Sequence, residues 1–85
     1  MANYRLAAIL ETTMKLKING NQGEYMPAAG ESSLTVAGLI SLLGMKSDRV
    51  AVELNREIVP RDRWSETALN EGDRLELVHF VGGGF

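Results

Sequence analysis

Few residues of this chain are equipped for chemistry of their own. The single histidine, His79, has no partner with metal-site spacing, and cysteine is absent. Disulfides, Cys-ligated zinc and any thiolate or persulfide held on a side chain are therefore excluded. A lone histidine near a strand end reads as a structural or rim residue rather than a ligand or base. The 11 carboxylates are scattered through turns and exposed positions, as solvation alone would place them. Ser32, Ser33 and Thr35 cluster where a helix should begin, so capping accounts for them. No catalytic residue and no metal site is assigned, and the chain is read as not being an enzyme.

The remaining candidate is the run Gly82-Gly83-Gly84. A phosphate-cradling glycine loop needs a following Lys-Ser/Thr and a helix, and neither is present here. Without Cβ atoms such a run stays thin and extensible, fit to thread a narrow channel into another enzyme's active site. The competing reading is an incidental glycine end or a linker, and the residues alone leave both open.

Bulk properties set the frame. Eighty-five residues with 45% hydrophobic and 24% charged side chains describe one small globular domain. A chain of this size buries roughly 60–65% of its unfolded surface, so it has one core and little stability to spare. A net charge of −2 without a Lys/Arg cluster argues against nucleic acid or an anionic membrane, and sits better with a basic partner. No apolar run approaches the ~20 residues that span a bilayer. Leu6–Leu10 is too short for a signal-peptide core and Glu11 follows it, so a cytoplasmic location is expected.

Elements that could position the glycines follow from periodicity. Met14-Lys15-Leu16-Lys17-Ile18 alternates like a half-buried strand. Residues 1–13 before it are read as an N-terminal extension, expected to be poorly ordered, because nothing there caps or continues an element. Asn19-Gly20-Asn21 signals a hairpin turn, with a second strand near Glu24–Met26. Pro27–Gly30 breaks the pattern. A helix follows, capped at Thr35 (Ser32 or Ser33 being alternatives) and stapled by Leu34 and Leu39. Val36, Leu39, Ile40 and Leu43 form its apolar stripe, and Gly44 ends it. Val50–Leu54 is a strand, Asn55-Arg56 a turn, and Glu57–Val59 a short edge strand stopped by Pro60. A helical turn is expected around Trp64 and a tight turn at Asn70–Asp73. Arg74–Phe80 is the last strand, with Leu75 and Leu77 inward and Glu76, Val78 and Phe80 outward. The order is ββαβββ, an α+β domain over residues 14–81 with one main helix across a mixed sheet of four to five strands. The glycine tail spans 82–85. Val78 and Phe80, apolar and outward beside it, are read as a partner-docking patch.

Three segments together resemble the ThiS-type sulfur carriers over nearly all of residues 14–84. They are Thr35-Val36-Ala37-Gly38-Leu39-Ile40-Ser41-Leu42-Leu43-Gly44, Val50-Ala51-Val52-Glu53-Leu54-Asn55-Arg56-Glu57-Ile58-Val59-Pro60, and Gly72 through Gly84. The resemblance implies a ubiquitin-like β-grasp fold, in agreement with the order read from the residues. It also implies partners: an E1-like (ThiF-type) enzyme that uses ATP and Mg²⁺ to adenylate the terminal glycine, a sulfur donor such as a cysteine desulfurase, and a ThiG-type thiazole synthase. Under it Gly84, preceded by Gly83, bears the adenylate and then the thiocarboxylate, while Gly82 threads the channel. No cofactor is bound by the carrier itself.

Phe85 departs from that pattern, because a phenylalanine follows the glycine to be activated. It is trimmed by a C-terminal peptidase, or the protein is not activated, or the residue is an expression remnant; trimming to Gly84 is the reading carried forward. Within the family, supply to homocysteine or cysteine synthesis or to molybdopterin stands as the alternative to thiazole synthesis. A β-grasp interaction module with an incidental tail is the alternative outside it.

Overall fold

Alternation of apolar residues at a period of two, interrupted by one helical stretch, produces a single mixed sheet with a helix laid on one face. The computed structural model describes residues 13–80. Its strands are β1 (Met14–Ile18), β2 (Asn21–Tyr25), β3 (Val50–Leu54), β4 (Glu57–Ile58) and β5 (Arg74–His79), with helix α1 (Val36–Leu42) between β2 and β3. The sheet order is β2-β1-β5-β3-β4. The two neighbours β1 and β5 run parallel, while the other pairs are antiparallel. The ββαβββ order and the helix-on-sheet layout expected from the sequence are both present. The extension at 1–12 and the tail at 81–85 lie outside the described residues.

Turn chemistry sets the registers. Asn19 and Gly20 adopt φ values of 49° and 84°, the left-handed pair of a two-residue hairpin loop. The loop needs nothing further, so Ile18 already pairs with Asn21. The second strand therefore begins three residues before the Glu24 expected. Asn21-Gln22 shows no apolar alternation because β2 is an edge strand with little to bury.

Thr35 is the helix cap: its Oγ1 accepts from the Gly38 N–H at 3.0 Å. Val36, Leu39 and Ile40 are buried, but Leu43, expected as the fourth member of the stripe, remains 38% exposed. Gly44 at φ 72° is the reason. Its N–H donates to Ser41 O at 3.0 Å and that of Met45 donates to Ile40 O at 3.1 Å, a pattern that closes the helix at its last turn. The chain then folds Met45, not Leu43, against the core. Seven residues could not hold a helix alone, so packing on the sheet maintains it.

The core joins that stripe to Leu16, Val50, Val52, Leu75 and Leu77 of the sheet and to Trp64. Trp64 sits in a 3₁₀ stretch, Arg61–Glu66, where a helical turn is expected. Its indole N–H donates to Val59 O at 2.9 Å, which satisfies the one polar atom the ring brings inside. β4 is two residues long rather than three, although the Val59 N–H still reaches Val52 O at 2.9 Å. At the Asn70–Asp73 turn Gly72 takes φ 85°, and Asp73 accepts from the Asn70 N–H at 2.8 Å.

Candidate functional site

Everything that would present the tail hangs on β5. Leu75 and Leu77 face α1 and are buried, which turns Arg74, Glu76 and Val78 to the opposite face. Val78 is 56% exposed, outward as the alternation along β5 predicts. Phe80 differs from its expected outward exposure. It lies one residue past β5, is half-buried, and its N–H donates to Arg49 O at 2.7 Å. The segment before β3 thus holds this residue in place, and the patch is carried by Val78 more than by Phe80. Gly82, Gly83, Gly84 and Phe85 lie outside the described residues.

Register adds residues that the sequence pattern does not single out. Ala51 stands directly opposite Val78 and Glu53 opposite Glu76, so both share the outer face. Ile58 of β4 pairs with Glu53 and is 77% exposed. It extends the apolar surface to the sheet edge. An apolar residue in a strand flanked by Glu57 and Pro60 is the local signal, but only pairing tells which face it joins.

Asn19 fixes the end of β5. β1 stops at Ile18, two positions short of where β5 would lose its neighbour, and the Asn19 side chain takes over. Its Oδ1 accepts from the Leu77 N–H at 2.7 Å and its Nδ2 donates to Leu77 O at 3.1 Å. A side-chain amide thereby engages both backbone groups of Leu77 beyond the last backbone pair of the parallel β1–β5 ladder. The Asn19 N–H adds a bond to Leu75 O at 2.9 Å. Strand β5 is thus held on both sides to within two residues of its end.

His79 is exposed at that end, a rim position as expected. Among the described residues no group of three or more His, Asp or Glu could hold a metal ion. No described helix is long and apolar enough to cross a membrane.

A sequence model of the ThiS family matches residues 16–84. The sulfur carrier protein ThiS of Bacillus subtilis is 35% identical over 69 residues, covering 81% of this chain and 98% of that protein. The thiazole synthase of Paramagnetospirillum magneticum is 46% identical over 71 residues, 84% of this chain and 20% of that protein. The chain thus spans about a fifth of the length of the thiazole synthases it matches. Among solved structures, the crystal structure of the thiamine biosynthesis protein ThiS from Geobacter metallireducens superposes with a TM-score of 0.64 at 36% identity, over 84% of this chain and 100% of that one. A family match over most of the chain, with the β-grasp sheet and the helix packed on it reproduced, establishes that this chain belongs to the ThiS family.

Proposed function

We propose that this chain is a sulfur carrier for thiamin thiazole synthesis, with Gly84 as the residue loaded. The observation that carries the reading is the family match, which runs through Gly84 in a chain that has no cysteine. Sulfur must then ride on the main-chain carboxyl group. A free carboxylate is a poor electrophile, so it is first made an acyl-adenylate. One carboxylate oxygen attacks the α-phosphorus of ATP, and pyrophosphate leaves. Hydrosulfide attacking the acyl carbon expels AMP and gives the thiocarboxylate directly. A donor persulfide attacking it expels AMP and gives an acyl disulfide, whose S–S bond a thiol then reduces to release the thiocarboxylate. ATP, Mg²⁺ and catalysis belong to an E1-like adenylating enzyme, and a desulfurase-type donor supplies the sulfur. The carrier contributes a docking face and a thin tail, and acts where those partners are, in the cytoplasm.

Phe85 gives this reading a required first step. Gly84 is held in a peptide bond to Phe85, and an amide carbonyl has no free oxygen to adenylate. Hydrolysis of that one bond by a peptidase frees the carboxylate. Thiazole synthase is favoured as acceptor over amino-acid or molybdopterin synthesis, because thiazole synthases are among the relatives sharing this sequence. The test uses chain ending at Gly84, its cognate adenylating enzyme, ATP and Mg²⁺. Pyrophosphate release that disappears when Gly84 is deleted is the expected result. Release indifferent to Gly84, or none, would remove the carrier reading.

A further inference from the structure

The sheet face turned away from α1 is not uniform, and its pattern runs along β5 toward the tail. At the start of the strand Arg74 lies beside Lys17 of β1. With Lys15, Gln22, Glu71 and Gly72 these two line a shallow hollow of about 250 Å³. Glu24 stands opposite Lys15 and Glu71 accepts the Lys15 N–H at 2.8 Å, so the positive end rests on Lys17 and Arg74. Two residues on, Glu76 faces Glu53 across the β3–β5 pair. Two more bring Val78 beside Ala51. The order toward the exit is therefore cationic, anionic, apolar.

The middle step has no folding rationale. Like charges directly opposite each other in an antiparallel pair oppose pairing. Neither carboxylate makes an ion pair with a described residue, and a single lysine at either position would turn repulsion into attraction.

We propose that this stripe fixes the orientation in which the adenylating enzyme receives the tail. That partner carries the complement: an apolar mouth to its channel, a basic group roughly 7 Å behind it, and an acidic group roughly 13 Å behind it, since same-face residues recur about every 6.6 Å along a strand. Reversed docking would set the partner's acidic group against Val78 and its apolar mouth against Arg74, burying both charges unpaired, so one pose is selected, the one that points the tail into the channel. The inference rests on the tail being another enzyme's substrate.

Glu76→Lys separates folding from docking. It places a cation opposite Glu53, so the variant should melt higher than the parent. With chain ending at Gly84 and the cognate adenylating enzyme, KM should nevertheless rise about tenfold while kcat holds. Arg74→Glu should raise KM similarly, and Glu66→Lys, exposed and away from this face, should not. KM for Glu76→Lys within about twofold of the parent would overturn the proposal. If the parent is not adenylated at all, the carrier reading fails, and the stripe is tested separately by titrating the full chain with tetralysine and with tetraglutamate. Amide shifts confined to residues around 53 and 76 for the first, and around 17 and 74 for the second, support it. Shifts spread over all exposed charges overturn it.

Discussion

Replacing Asn19 with glycine removes both bonds that hold β5 beyond the end of β1, without disturbing the turn. The bonds to Leu77 measure 2.7 and 3.1 Å and are partly buried. Each contributes a net ~0.5–1.5 kcal/mol, so their joint loss costs about 1–3 kcal/mol. Glycine returns part of this, because Asn19 sits at φ 49° and relief of that conformation offsets less than about 1 kcal/mol. The net expectation is a loss of about 1–2 kcal/mol. Alanine loses the same bonds and keeps the Cβ in the left-handed region without the short polar side chain that lets Asn tolerate it, which adds about 1 kcal/mol, so Asn19→Ala should fall by about 2–4 kcal/mol. For a domain of this size each kcal/mol is about 4–8 °C in Tm. Urea unfolding followed by Trp64 fluorescence reads the stability, and amide exchange at Leu77 reads the clamp itself. A glycine variant within about 0.3 kcal/mol of the parent, with Leu77 protection unchanged, would refute the assignment of Asn19 as the clamp.

Arg56 adopts φ 74° in the β3–β4 turn, so Arg56→Gly should raise stability by about 1 kcal/mol in the same urea experiment. Thr35→Ala removes the acceptor for the Gly38 N–H and should cost about 1 kcal/mol. Trp64→Phe keeps an aromatic ring in the core but strands the Val59 carbonyl that the indole serves. A loss of about 1–3 kcal/mol is expected, measured by thermal unfolding in far-UV circular dichroism.

What the sequence makes legible here is what local rules control. Asn19-Gly20, Thr35 and Gly44 each act within a few residues, and the turn, cap and helix stop all occur where those residue types place them. Leu75 and Leu77 point inward because alternation along one strand decides it. Leu43 and Phe80 fail for a common reason: each stands just beyond the end of an element, where periodicity no longer says what lies alongside. The clamp between Asn19 and Leu77 spans 58 residues, and the Glu53–Glu76 opposition arises from pairing between distant strands. No local pattern contains either. The glycine run is visible in the sequence, while the outer face of β5 beside it takes shape only once strands are registered.

The central claim, that sulfur is carried on the carboxyl group of Gly84, is tested most directly by intact mass. Chain ending at Gly84 is incubated with its adenylating enzyme, ATP, Mg²⁺ and a sulfur donor, and weighed before and after. The account predicts a gain equal to the exchange of one oxygen for sulfur, located at Gly84 by fragmentation and dependent on ATP. An unchanged mass, or sulfur attached at any other residue, would contradict it.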